Sequence, residues 1–374
     1  MARATTSDPL RGIPILGPLS IVGRIAVLAA LGLSIAVILL DLVVHADETL
    51  LFLLASAAIL GLAWVVGVST ERLGAITGPQ VGGILNATFG NVAELIIAFF
   101  ALQAGLLDVV KASLTGSIIG NLLLVLGASV LFGGLRNGTQ RFSERIAGSN
   151  AALLVLAAIG LFVPAVFAFS SGGQTTTLRE ESVIVSILLI VGYVLSLVYQ
   201  FTNPERTLGA HEPAEGHGGP SWSGRTAIGV LLGSAVLLAV ISEILVGAIG
   251  PFVDSFGLSA FFVGVVLIPT IGNLAEHLVA VQLAYKNRME FAMAVCYGSS
   301  LQVALFVGPI LVLIGLVIGQ PMDLVFHPLE VAAVAAAVGI SALIALDGES
   351  NWLEGALLVI VYIILAGSFF ELRV

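Results

Sequence analysis

The sequence predicts an all-α integral membrane protein of about eleven transmembrane helices, arranged as one helix followed by two inverted repeats of five. Three observations carry this reading. Of 374 residues, 58% are hydrophobic and only 10% charged, against about 25% charged in a soluble domain. The apolar residues gather in stretches of about 20, the length that crosses a bilayer. A short polar motif also recurs inside two of those stretches, at an offset of 182 residues. The composition excludes a nucleic-acid-binding protein, a disulfide-stapled secreted domain and a soluble enzyme with a peripheral anchor. The single Cys296 excludes an internal disulfide and a cysteine-rich metal site.

The first segment, Met1 to Leu19, is polar and holds Pro9, Pro14 and Pro18. It lacks the basic, apolar and cleavage regions of a removable signal peptide in series. Candidate spans follow near 20–44, 49–69, 80–107, 112–135, 147–169, 182–202, 226–250, 256–285, 290–318, 326–346 and 352–371. The third, eighth and ninth are long and interrupted by Gly or Pro. Residues 1–45 then form the N-terminal segment and first helix, and 46–202 the first five-helix repeat. Residues 203–225, with Glu205, His211, Glu212, Glu215 and His217, form a short polar cytoplasmic linker, and 226–374 the second repeat. If the N-terminus is cytoplasmic, that side receives Arg3, Arg11, Arg24, Arg72, Arg136, Arg141, Arg145, Arg206, Arg225, Lys286 and Arg288. The other side receives Lys111, Arg179 and Arg373. The bias sets the N-terminus inside, and an odd number of spans puts the C-terminus on the opposite side. The expected location is the cell membrane of a prokaryote. Trp64, Trp222 and Trp352 are expected as interface anchors.

The repeat rests on two matches at the 182-residue offset, on apolar runs that follow them, and on a weaker echo at a different spacing that needs an insertion. Gly90-Asn91-Val92-Ala93-Glu94-Leu95 recurs as Gly272-Asn273-Leu274-Ala275-Glu276-His277, and Gly116-Ser117 meets Gly298-Ser299. The apolar runs Leu122–Gly127 and Val303–Gly308 follow in both halves, and Thr70-Glu71 is weakly echoed by Ser242-Glu243. Five helices per unit force the second copy into the membrane upside down, with the substrate site expected at the repeat interface.

Asn91 and Glu94 stand three residues apart and share a helix face, as do Asn273 and Glu276. An acid at mid-bilayer costs roughly 2.5–3.5 kcal/mol on insertion scales and is usually functional. Two such acids brought together must be protonated, share a proton or hold a cation. Carboxylate, amide and hydroxyl oxygens suit a hard cation such as Ca²⁺, while soft metals lack the Cys and His they need. The same two acids can carry Ca²⁺ or protons but not both, which is the core of an antiporter. Gly90 and Gly272 are expected to break their helices, aided in the second copy by Pro269. Ser117, Asn121, Ser299, Ser300 and Gln302 are expected to line the cavity or to knit helices together.

Other polar residues are weaker candidates. His277 is a proton relay or a packing histidine, and Glu243, read as lying well inside span seven, a second proton carrier. Glu71 is expected to pair with Arg72. Asp41, Glu330 and Glu354 are expected at solvated span ends, and His45, His211, His217 and His327 in solvated loops. No phosphate-binding loop, HExxH or GxSxG occurs, so neither a nucleotide-driven pump nor an enzyme is expected, and no cofactor is implied.

At these residues the sequence resembles the calcium/proton antiporters, the CAX branch of the cation/calcium exchanger superfamily. Gly82-Gly83-Ile84-Leu85-Asn86-Ala87-Thr88-Phe89-Gly90-Asn91-Val92-Ala93-Glu94-Leu95 looks like its first signature. Gly272–His277 with Gly298-Ser299-Ser300-Leu301-Gln302-Val303-Ala304-Leu305-Phe306 looks like its second. The resemblance implies export of cytosolic Ca²⁺ in exchange for protons by alternating access. Glu94 and Glu276 would be the shared Ca²⁺/H⁺ carboxylates, and Asn91 and Asn273 would supply amide oxygens. Many members carry a long acidic stretch between the halves, which here is short and only mildly acidic. A Na⁺-coupled exchanger of the same fold and a passive cation channel stand as alternatives. Ca²⁺, protons and the lipid bilayer are the expected partners, and a homo-oligomer is left open.

Overall fold

The computed structural model describes residues 13–170, 175–203 and 222–372. Most of the expected linker, with Glu205, His211, Glu212, Glu215 and His217, lies outside the described residues, as do Arg3, Arg11, Arg206 and Arg373.

The chain is a helical bundle. α1 (Ile21–Leu39) ends in a π-helical turn and α2 spans Glu48–Thr77. The third apolar stretch divides into α3 (Pro79–Phe89) and α4 (Val92–Gln103). α5 (Leu107–Ile119) and α6 (Leu126–Asn137) form one rod through a π-helical stretch at Gly120–Val125. α7 (Glu144–Ser170), α8 (Thr175–Thr202), α9 (Gly224–Gly247) and the short α10 (Ile249–Phe256) follow. α11 (Ala260–Phe262) runs through π-helical Val263–Leu267 into α12 (Ile268–Tyr285). α13 (Met289–Gln302) runs through Val303–Val307 into α14 (Gly308–Ile318). α15 (Pro328–Ile344) and α16 (Trp352–Glu371) complete the chain. Among the described residues, nine helices are long and apolar enough to cross a membrane, and α4 and α15 are shorter apolar helices. Helices suit this sequence because a lipid solvent offers backbone groups no partner outside their own segment. Side chains start several of them: Ser20 accepts from Gly23 N, Ser223 from Thr226 N and Ser259 from Phe262 N.

Large apolar residues point outward along α1, α8 and α16, among them Val22, Leu188, Leu195, Ile363 and Ile364, as a lipid-facing surface requires. The inner layer is built from α4, α5, α12 and α13, with Ile97, Leu102, Ile118, Ala280 and Tyr297 in the core. Antiparallel β1 (Gln140–Arg141) and β2 (Glu349–Ser350) tie the loop after α6 to the loop before α16, with an Arg141–Glu349 ion pair of 2.9 Å.

Three expectations fail here. Trp222 is 3% exposed rather than an interface anchor; its indole N–H donates to the Ile15 carbonyl at 2.9 Å. Arg72 does not pair with Glu71. It lies 4.9 Å over the Trp222 ring and donates to the Pro18 carbonyl. The helix break expected at Gly272 is absent, and α12 passes through it unbroken. The distortion sits one turn earlier, in the π-helical Val263–Leu267. The π-helical stretches at 120–125 and 303–307 fall at nearly the offset that relates the motifs.

A carboxylate pair between two motif helices

The first motif straddles the break between α3 and α4. Gly90 has ordinary right-handed helical angles, φ −56° and ψ −49°, and the departure falls on Asn91, at φ −104° and ψ 28°. Glycine is needed there for space instead. A Cβ at Gly90 would stand 3.1 Å from Gln302 Oε1. The freed Asn91 side chain does not cap α4 but reaches across to α13. Its Nδ2 donates to Gln302 Oε1, and its Oδ1 accepts from Ser299 Oγ at 2.8 Å. Asn121 Nδ2 extends the chain by donating to Ser299 Oγ at 2.9 Å. Asn91 is thereby held on both its polar atoms.

The second motif lies within the continuous α12. Asn273 Nδ2 reaches Ser117 Oγ at 3.5 Å. This is the same pairing as Asn91 with Ser299, displaced by the offset of the repeat, and it is looser. Gly272 lets the two motifs touch, because a Cβ there would stand 3.2 Å from Glu94 Cγ.

Glu94 is 7% exposed and sits in the first turn of α4, where the positive end of the helix favours negative charge. It interacts electrostatically with Glu276. Both Glu94 carboxyl oxygens, Glu276 Oε2 and Asn273 Oδ1 are buried with no hydrogen-bond partner among the described residues. Buried polar groups are normally paired, and an unpaired buried charge is strongly unfavourable. Unsatisfied oxygens on two coupled acids and a neighbouring amide are a demand for protons or for a cation. Among the described residues no three His, Cys, Asp or Glu side chains cluster as a metal site. The oxygens near one another here are carboxylate, amide and hydroxyl oxygens, the kind that hard cations prefer.

The remaining candidates separate. Ser300 is fully buried, and its hydroxyl donates at 2.9 Å to the Cys296 carbonyl on its own helix. His277 is buried on α12. Glu243 is exposed near the end of α9 rather than well inside it, and lines a cavity of about 390 Å³ with Asp41 and Glu48. Glu354 caps α16 with Asn351, and His327 caps α15 by accepting from Leu329 N. Glu330, expected at a solvated lip, is 2% exposed. The pattern of apolar stretches hid it, because its burial comes from helix α5, far away in sequence.

Two motif acids brought together inside an apolar helical bundle describe this membrane protein, and comparison with known proteins gives its family. It belongs to the sodium/calcium exchanger protein family, whose model matches residues 47–202 and 226–370. It is 44% identical over 352 residues to a protein of Aphanothece halophytica named Ca²⁺/H⁺ antiporter, covering 90% of this chain and 94% of that one. It is 40% identical to the Ca²⁺/H⁺ antiporter ChaA of Bacillus subtilis, covering 92% and 98%. Among solved structures, native YfkE superposes with a TM-score of 0.80 at 38% identity, covering 94% of this chain and all of that one. These relatives are named as transporters, not as enzymes.

Proposed function

We propose that the chain is a secondary transporter that exports cytosolic Ca²⁺ in exchange for protons, with Glu94 and Glu276 binding the two cargoes in turn. The observation that carries this is the set of unsatisfied buried oxygens on Glu94, Glu276 and Asn273. Ca²⁺ takes about 6–8 oxygen ligands. Ser117, Asn121, Ser299, Asn91 and Gln302 are hydrogen-bonded to the motif asparagines or to one another, and we assign their oxygens to the rest of the shell. The names of the relatives support Ca²⁺ and protons as the cargoes.

Alternating access follows from two motif helices packed unequally on the two sides of the pair. Around α11 and α12 the packing is tight: Val263, Val265, Ile268, Pro269 and Ile271 are buried. Of the described side chains between Val81 and Gly90, none is buried. We assign the α3 side as the mouth and, from the excess of basic residues, as the cytosolic side. Ca²⁺ enters from α3 when both acids are ionised. On the far side protons neutralise the acids and release it.

The test is Ca²⁺ uptake by vesicles driven by a pH gradient. Glu276→Gln, folded and inserted, loses the exchange; wild-type rates in that variant would end the scheme. Vesicles loaded with Na⁺ at fixed pH show no Ca²⁺ counterflow if protons are the coupling ion. Flux at channel rates without a counter-ion would turn the reading to a passive pore.

A further inference from the structure

Another carboxylate, more deeply buried than either motif acid, lies behind α5. Glu330 stands in the first turn of α15 and is 2% exposed. Its Oε2 accepts from the His327 backbone N–H at 2.8 Å, as a helix cap does. A cap uses one oxygen. The other, Oε1, accepts at 2.9 Å from the hydroxyl of Thr115, itself buried on α5. One turn before Thr115, Lys111 binds Asp323 and donates to the Val325 carbonyl at 2.9 Å. The same strap is fastened to α8, because Leu324 N donates to Ser182 Oγ at 3.0 Å.

Thr115 and Ser117 are two residues apart, so they point to nearly opposite sides of the helix. Ser117 faces Asn273 of the second motif, whereas Thr115 faces Glu330. Between them Gly116 lies flat on the backbone at Val265 and on the Pro269 ring, with no room for a Cβ. The helix is therefore held from both sides at the level of the cation site. The clamp is not part of the repeated motif: at the repeat offset Glu330 meets Gly148 and Thr115 meets Tyr297, whose hydroxyl donates instead to the Ser341 carbonyl.

We propose that Glu330 is a positioning residue for the cation site: through Thr115 it ties α15 to α5 and so fixes Ser117 and Asn121 against the Glu94–Glu276 pair. This rests on the proposed function, since its readout is Ca²⁺ affinity. Groups behind ligands that are lost in this way typically weaken metal binding by about tenfold or more.

The test is Ca²⁺/H⁺ exchange by the full chain in proteoliposomes. Thr115→Val, which keeps the shape and removes the hydroxyl, raises the Ca²⁺ KM by about tenfold and leaves Vmax within about twofold. Thr115→Ser restores the wild-type KM. Glu330→Gln keeps an acceptor for the cap and offers an N–H to Thr115, so its KM rises less than that of Glu330→Ala. Because both residues act through one bond, Thr115→Val with Glu330→Ala raises KM no further than Glu330→Ala alone. A Thr115→Val KM within twofold of wild type overturns the proposal. So do fully additive effects, or a shifted pH profile in Glu330→Gln that Thr115→Val does not share, which would make Glu330 a proton carrier. If Glu330→Ala does not fold, Thr115→Val and Thr115→Ser decide alone. Glu276→Gln runs in parallel: wild-type exchange there would defeat the central site itself, whereas its loss beside a silent Thr115→Val defeats this inference only.

Discussion

The two motif copies carry the same Gly-Asn-x-Ala-Glu residues on different backbones. In the first, the helix breaks at Asn91, Glu94 stands in the first turn of a new helix, and Asn91 is bound on both polar atoms. In the second, α12 is continuous, Glu276 lies within the helix, and Asn273 makes one long contact and leaves its oxygen unpaired. The surroundings differ in the same sense. Gly116 on α5 is pressed against Val265 and Pro269, while Gly298, its counterpart on α13, has nothing within 4 Å. A local motif therefore supplies the acid and amide, and packing from the other half decides the backbone. In this structure Val263, Val265, Ile268 and Ile271 are buried, whereas none of the described side chains between Val81 and Gly90 is.

The comparison breaks most sharply if the two acids are unequal in function. Glu94→Gln and Glu276→Gln should each lower Ca²⁺ exchange by more than about 30-fold, the scale of a ~2 kcal/mol loss at a buried charged contact. A variant retaining half the wild-type rate in vesicles would make that acid structural. The next largest effect separates the two glycines. Gly116→Ala drives a methyl into the Val265 carbonyl, and overpacking of this kind costs about 1–3 kcal/mol. Gly298→Ala should leave the detergent melting temperature unchanged. It should nonetheless slow exchange if the packings of Gly116 and Gly298 interchange during transport. Normal exchange by Gly298→Ala would show that the two packings do not interchange.

Asparagine substitutions sharpen the comparison further. Asn91→Ala leaves Ser299 and Gln302 without their buried partner and should lower stability by about 1–3 kcal/mol, read as a fall in melting temperature. Asn273→Ala removes one weak bond, so its effect should fall on the Ca²⁺ KM instead. Equal stability losses would contradict the asymmetry. The smallest effect is Ser300→Ala, whose hydroxyl binds only its own helix; exchange and KM should stay within about twofold of wild type.

Much of this was legible in the sequence, for physical reasons that can be named. Apolar stretches of span length and the scarcity of charge give the helical membrane fold, because lipid tolerates few alternatives. The two motif acids stood out because carboxylates are rare inside such stretches. Gly272 was misread because it shares its neighbours with Gly90. What holds α12 straight is the burial of Ile268, Pro269 and Ile271 against the rest of the bundle, which no local pattern reports. Glu330 and Trp222 were misread for the same reason. Their partners, Thr115 and Ile15, lie more than two hundred residues away. Position near a span end carries no information about such partners.

The central claim is that Ca²⁺ and protons exclude each other on one pair of carboxylates. Proton release on Ca²⁺ binding, measured in weakly buffered detergent solution across a pH series, tests it most directly. The account predicts up to about two protons released per Ca²⁺ as pH falls, with apparent affinity weakening in step. It also predicts that Glu94→Gln and Glu276→Gln lose the release. Ca²⁺ binding that releases no protons at any pH, or release that persists unchanged in both variants, would contradict it.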